Sequence, residues 1–238
     1  NSNDYAGTSV AFAGDVNGDG YDDVLIGAPY SDEGASNGGL AALVLGAANL
    51  SDLELTSADA TWSGVSAGDY AGQTVSGAGD LNNDGLADFT IGAYGEDSGG
   101  SNAGAIYIVY GSTSISGDSS LSGEVDLLGD SAGDAAGTAV APLGDIDGDG
   151  NDDILVGAYG YDSGAGAGFL LGGRAGGWSA ALTGSEGYFA GEGSDRVGWA
   201  LDSMALSQDD PAVVLGAYGN SDGASVGGAV YIAEVDSL

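Results

Sequence analysis

YAGTSVAFAGDVNGDGYDDVLIGAPY, residues Tyr5–Tyr30, returns without a gap as YAGQTVSGAGDLNNDGLADFTIGAYG from Tyr70 and as AAGTAVAPLGDIDGDGNDDILVGAYG from Ala135. Each step is 65 residues. A shorter fourth copy, VGWALDSMALSQDDPAVVLGAYG, begins at Val197, and its Gly216 follows Gly157 by 59 residues. Self-similarity at a fixed long period marks a repeat architecture, in which each unit buries its faces against the next.

Every copy reads as short strands. In the first, Ser9–Ala13 alternates, with Val10 and Phe12 on one face. Asp23–Ala28 and Leu40–Leu45 are short apolar runs, and Ala60–Trp62 closes the unit. Strands of this length bounded by Gly, Asp and Asn are the mark of antiparallel sheets. No segment keeps a 3.6-residue apolar period long enough for a substantial helix. The expected fold is all-β: a β-propeller-like array of four-stranded antiparallel blades in one repeat domain, 1–238. The expected blades are 1–66, 67–131, 132–193 and a degenerate 194–238 without an outer strand. A β-solenoid fits less well, because its rungs run to about 20–30 residues.

Inside each copy an acidic loop separates the first two strands. The loops are DVNGDGYDD from Asp15, DLNNDGLAD from Asp80 and DIDGDGNDD from Asp145. Side-chain oxygens fall at positions 1, 3, 5 and 9: Asp15, Asn17, Asp19 and Asp23; Asp80, Asn82, Asp84 and Asp88; Asp145, Asp147, Asp149 and Asp153. Position 7 (Tyr21, Leu86, Asn151) can offer a backbone carbonyl. Glycine stands at position 6, where a tight turn needs a residue without Cβ. Hard oxygen donors in a compact loop suit Ca²⁺. An EF-hand needs Glu at position 12 and flanking helices, but position 12 is Ile26, Ile91 or Val156, inside an expected strand. The loops are therefore expected to join strands and to hold three mainly structural Ca²⁺ ions. One Asp/Gly-rich loop could be only a turn; three in register argue for metal. The fourth copy lacks donors at positions 1, 3 and 5 around Met204–Asp210 and is expected to bind none.

These residues resemble the FG-GAP repeat of integrin α-subunit propellers and of many secreted bacterial proteins. The resemblance is carried by Tyr5-Ala6-Gly7 with Gly27-Ala28-Pro29, Tyr70-Ala71-Gly72 with Gly92-Ala93-Tyr94, and Ala136-Gly137 with Gly157-Ala158-Tyr159. It implies a calcium-loaded propeller that works in adhesion or protein contact, outside the cell or on its surface. It also implies about seven blades, more than this chain holds, so a closed one-chain ring is not expected.

Composition narrows the function. Thirty-six acids face two bases, Arg174 and Arg196, and the formal charge is −34. Such a chain repels nucleic acid and anionic membranes, both of which call for Lys and Arg. Bound cations or ambient salt must offset part of the self-repulsion. His, Lys and Cys are absent, which removes most general bases and nucleophiles. A carboxylate pair could still run a glycosidase, but the acids outside the loops sit in turns such as Ser31–Ser36, Glu96–Ser101 and Tyr161–Gly164 and read as solvated surface. A lectin-like role is the stronger rival: Trp62, Trp178 and Trp199 could stack on glycans, although such residues more often fill the space between blades. No apolar run reaches membrane-spanning length. Asn1 without Met reads as a mature or truncated product. With the first strand near Asn1 and a third strand over Ala229–Val235 near Leu238, the chain is expected to be either a fragment of a larger propeller or a self-associating unit with an unpaired edge. The expected partners are calcium, other protein chains or a second copy, and glycans under the lectin reading.

Overall fold

The computed structural model describes residues 3–48, 57–122, 127–176, 178, 181–207, 210–220 and 227–235. The positions of Asn1 and Leu238 lie outside these residues. The strands are β1 (Ser9–Gly14), β2 (Asp23–Ala28), β3 (Leu40–Val44), β4 (Ala60–Ser63), β5 (Thr74–Gly79), β6 (Asp88–Ala93), β7 (Ala105–Val109), β8 (Gly117–Ser120), β9 (Leu127–Leu128), β10 (Ala136–Gly144), β11 (Asp153–Ala158), β12 (Ala167–Leu171), β13 (Gly187–Ala190), β14 (Val197–Ser207), β15 (Asp210–Ala217) and β16 (Ala229–Glu234). They form four sheets in the orders β1-β2-β3-β4-β8, β5-β6-β7-β9, β10-β11-β12-β13 and β14-β15-β16. Consecutive strands within each repeat pair antiparallel, so each copy of the repeat builds one blade. The fourth sheet has three strands among the described residues.

The alternation of the sequence becomes three cores between the four sheets. Leu25, Leu43 and Trp62 of the first sheet meet Val75, Phe89, Ile91 and Tyr107 of the second. Ile106, Ile108 and Leu127 then meet Ile154, Val156 and Phe169 of the third, and Leu155 and Leu170 meet Val213 and Leu215 of the fourth. The innermost strands β1, β5, β10 and β14 pack side by side. Small residues make this approach possible. A Cβ on Gly27, Gly92 or Gly157 would stand 1.9, 2.2 or 2.1 Å from the carbonyl oxygen of Gly72, Gly137 or Gly198 on the next blade. Each of those receiving glycines has a positive φ, +79°, +79° and +86°, which any L side chain would strain.

Two features depart from the sequence reading. The first blade has five strands: β8, from the loop after β7, pairs parallel with β4. It satisfies the backbone edge that β4 would otherwise expose; Thr61 Oγ1 donates to Asp118 Oδ1 at 2.8 Å, and Leu121 enters the core between blades one and two. The second departure concerns the turn acids. Glu96 is buried rather than solvated, because its side chain closes a tight turn by accepting from the Ser98 N–H at 2.8 Å, whereas Asp32 and Glu33 are exposed as expected. Tyr161–Gly164 is one short turn whose Asp162 and Ser163 have positive φ, in keeping with the absence of substantial helix from the sequence pattern.

Candidate metal loops

Each loop leaves the end of a blade's innermost strand and returns into its second. The residue at position 2 anchors it: Val16 and Leu81 are fully buried, and Ile146 packs against the third core. Above this anchor the backbone curls around the first aspartate. Asp15 Oδ1 accepts from the N–H groups of Gly18 and Asp19 at 2.8 and 3.0 Å, and its Oδ2 accepts from Gly20 at 2.8 Å. Asn17 Oδ1 takes the Asp19 N–H, and Asp19 Oδ1 takes the Tyr21 N–H. The second loop repeats this: Asp80 accepts from Asp84 and Gly85, Asn82 from Asp84, and Asp84 from Leu86. So does the third, with Asp145 accepting from Gly148 and Gly150, Asp147 from Asp149, and Asp149 from Asn151.

The donors at positions 1, 3 and 5 thus converge. In the third loop one carboxylate oxygen from each of Asp145, Asp147 and Asp149 lies within 4.8 Å of the others, and all three residues are exposed. In the first two loops position 3 is Asn17 or Asn82, whose amide Nδ2 donates to Asp19 or Asp84 at 3.1 or 3.0 Å. That orientation is held by the backbone, since the Oδ1 of each accepts the Asp19 or Asp84 N–H and keeps one lone pair free for a cation. The chemistry of the donor set fits a hard cation. At position 7, Tyr21, Leu86 and Asn151 lie in the same arc, their N–H groups held by position 5.

Position 9 is placed differently. Asp23, Asp88 and Asp153 are buried beneath the loop. One oxygen of each accepts the position 2 N–H, from Val16, Leu81 or Ile146. The other accepts an N–H just past the third strand, from Gly46, Gly111 or Gly173. These carboxylates clasp loop to sheet. Burial is the main cause that pushes them above the ordinary carboxylate range, Asp88 to about 6. The acids at positions 1 and 5 push Asp23 and Asp88 further the same way.

The loops are also laced to one another. The Ala87 N–H of the second loop donates to the Asp15 carbonyl at 3.1 Å, and the Asp152 N–H of the third donates to the Asp80 carbonyl at 2.9 Å. The fourth blade has no such loop: β14 and β15 stay paired out to Ser207 and Asp210.

At the opposite end of the innermost strands, the sequence reading missed two features. Asp69 and Asp134 are buried and accept the N–H groups of Ser66 and Ser131; burial raises both above the usual range. Their signal was present as Asp4, Asp69 and Asp134, spaced by 65 and each just before the x-x-Gly turn. The aromatics also form rows. Tyr5, Tyr30, Tyr70 and Tyr94 touch in series, with centroids 5.1, 5.4 and 5.2 Å apart. Trp199 sits 4.8 Å from both Tyr159 and Tyr218, and Arg196 lies over these two tyrosine rings. Trp62 fills the core against Phe89, and Trp178 donates to Tyr110 Oη at 2.8 Å. Trp199 is the exposed one, at 46%.

Strand-joined acidic loops on serial sheets of three to five strands define a propeller-type repeat protein. The chain carries three FG-GAP repeats, at residues 6–44, 71–109 and 136–171. It is also similar to "Integrin alpha pat-2" of Caenorhabditis briggsae, at 32% identity over 171 residues, covering 65% of this chain and 13% of that protein. The chain therefore spans about an eighth of that relative's length. No helix among the described residues is long and apolar enough to cross a membrane.

Proposed function

We propose that this chain is a non-enzymatic, calcium-stabilised protein-interaction module, acting in adhesion or as a scaffold outside the cell or at its surface. The carrying observation is the threefold identity of the loops: positions 1, 3 and 5 converge by the same backbone hydrogen bonds each time. Three ions are expected, with Asp15, Asn17 and Asp19, their counterparts in loops two and three, and the position 7 carbonyls as ligands. The position 9 carboxylates hold the loop base and close the shell through their remaining lone pairs. Ion-binding modules of extracellular proteins work at about 10⁻⁴–10⁻³ M, so the cation level outside cells suffices. The lack of His, Lys and Cys supports the non-enzymatic reading, and the integrin α similarity supports protein contact. Calorimetric titration tests the metal assignment: three Ca²⁺ per chain, two after Asp145→Ala, and no heat from the wild type if the reading fails.

A lectin-like reading has one observation in its favour, the exposed Trp199 flanked by Tyr159 and Tyr218. Glycan-array binding lost in Trp199→Ala would favour it over the protein-contact reading.

A further inference from the structure

Two asparagines of the chain precede a glycine, Asn17 and Asn37. An Asn-Gly pair is open to attack by the glycine nitrogen on the side-chain amide carbon, because glycine has no Cβ to obstruct the approach. The two pairs sit in opposite surroundings.

In the first loop each group that this reaction needs is in place. The nucleophile is the Gly18 nitrogen. Its N–H donates to Asp15 Oδ1 at 2.8 Å, so a carboxylate already holds the proton that must leave. The electrophile is Asn17 Cγ. Its Oδ1 accepts the Asp19 N–H at 2.9 Å, a donor aimed at the oxygen on which charge develops. The departing amine, Asn17 Nδ2, donates to Asp19 Oδ2 at 3.1 Å. Gly18 is exposed to water. The Asn37 pair is built differently. Gly38 is buried, and its N–H donates at 2.8 Å to the Ala35 carbonyl, a neutral group that takes no proton. A Cβ on Gly38 would stand 2.9 Å from the Gly64 carbonyl oxygen, so this turn is packed tightly.

The other loops supply two further comparisons. Asn82 has the same side-chain arrangement, accepting from the Asp84 N–H and donating back to Asp84. The residue after it is Asn83, whose side chain shields the attacking nitrogen. In the third loop Asp147 precedes Gly148, so the acid that the reaction produces already stands there.

We propose that the first loop, when free of metal, deamidates itself at Asn17. The Gly18 nitrogen bonds to Cγ, and its proton passes to Asp15. The Cγ–Nδ2 bond breaks, and the amine takes that proton and leaves as ammonia. Water then opens the cyclic imide at either carbonyl to give aspartate or isoaspartate; nothing is oxidised or reduced. The aspartate product gives this loop the three-carboxylate set of the third. The isoaspartate product routes the backbone through Cβ and moves Asp19 out of register with Asp15. An ion held by Asp15, Asn17 and Asp19 would occupy the base and fix the amide, so calcium slows the reaction. The chemistry goes beyond the interaction reading, and only its suppression by calcium rests on the proposed metal sites.

Peptide mass spectrometry tests this on the full chain, incubated at neutral pH in excess EDTA and digested with chymotrypsin. Asn17 is expected to convert about ten-fold or more faster than Asn37 or Asn82, the low end of what a positioned base supplies, and to give both aspartyl and isoaspartyl peptides. Asp15→Asn is expected to slow conversion by a similar factor in the folded chain, with circular dichroism as the check on folding. In urea, where only the Asn-Gly pair counts, the same substitution leaves the rate unchanged. Equal rates at Asn17 and Asn37 in the folded wild type overturn the proposal, as does a folded Asp15→Asn chain that converts at the wild-type rate. In calcium, conversion at Asn17 falls to the Asn37 rate. Fast conversion in both buffers with three ions counted by calorimetry overturns the calcium dependence; fast conversion in both with no ion bound upholds the chemistry and overturns only the metal assignment.

Discussion

At the residue scale, the two glycines of the repeat have different physical tasks. The one preceding Ala28, Ala93 or Ala158 leaves room for the carbonyl of the next blade, while its partner adopts a positive φ that presents that carbonyl. Gly92→Ala is therefore expected to destabilise the fold by about 2 kcal/mol or more, the scale of an overpacked core. Gly216→Ala, whose added Cβ would come no closer than 3.4 Å to its neighbours among the described residues, is expected to stay within about 0.5 kcal/mol. Urea unfolding of dilute protein compares the two, and equal losses would refute the close-approach account.

Buried acids give the metal-free chain an unusual pH response. Burial raises Asp69, Asp134 and the loop-base aspartates above their unfolded values, Asp88 to about 6. A raised carboxylate stabilises the fold below its unfolded pKa, and that contribution is lost as pH rises through the folded pKa. In EDTA, thermal stability should thus increase as pH falls from 7 toward 5. With saturating calcium the trend should reverse, because protons compete with the cation for the loop carboxylates. Melts at both pH values, with and without metal, check the change of sign.

At the scale of the element, the loop and strands were legible for separate reasons. Donor spacing located the loops, and the apolar Ile26, Ile91 and Val156 at position 12 placed them between strands. The observed β2 and β3, Asp23–Ala28 and Leu40–Val44, match the runs read from sequence within one residue. The diversion of β8 to blade one was not legible, because Gly117–Ser120 has no hydrophobic pattern and is held by edge pairing. Nor was the burial of Glu96 and Asp69, which depends on turns closing over their carboxylates rather than on local polarity. The lacing of Asp15 to Ala87 and of Asp80 to Asp152 links neighbouring loops. Asp80→Ala is expected to remove the second ion and also weaken calcium binding at the first and third sites by several-fold; unchanged affinity there would show the loops to be independent.

For the whole molecule, the balance lies between a charge of −34 and cores of aliphatic and aromatic side chains between the blades. Each ion at ten times its Kd contributes about 1.4 kcal/mol by mass action, and three independent sites about 4 kcal/mol. That is a large share of ordinary domain stability. The four blades and their order follow from the 65-residue period, because each unit needs a neighbour to bury its faces. The most direct measurement is the melting temperature of the full chain in 2 mM calcium against excess EDTA. The account predicts a fall of about 8–16 °C on chelation, the shift that a loss of this size gives a protein of this length, restored by adding calcium back. An unchanged melt in EDTA would contradict it.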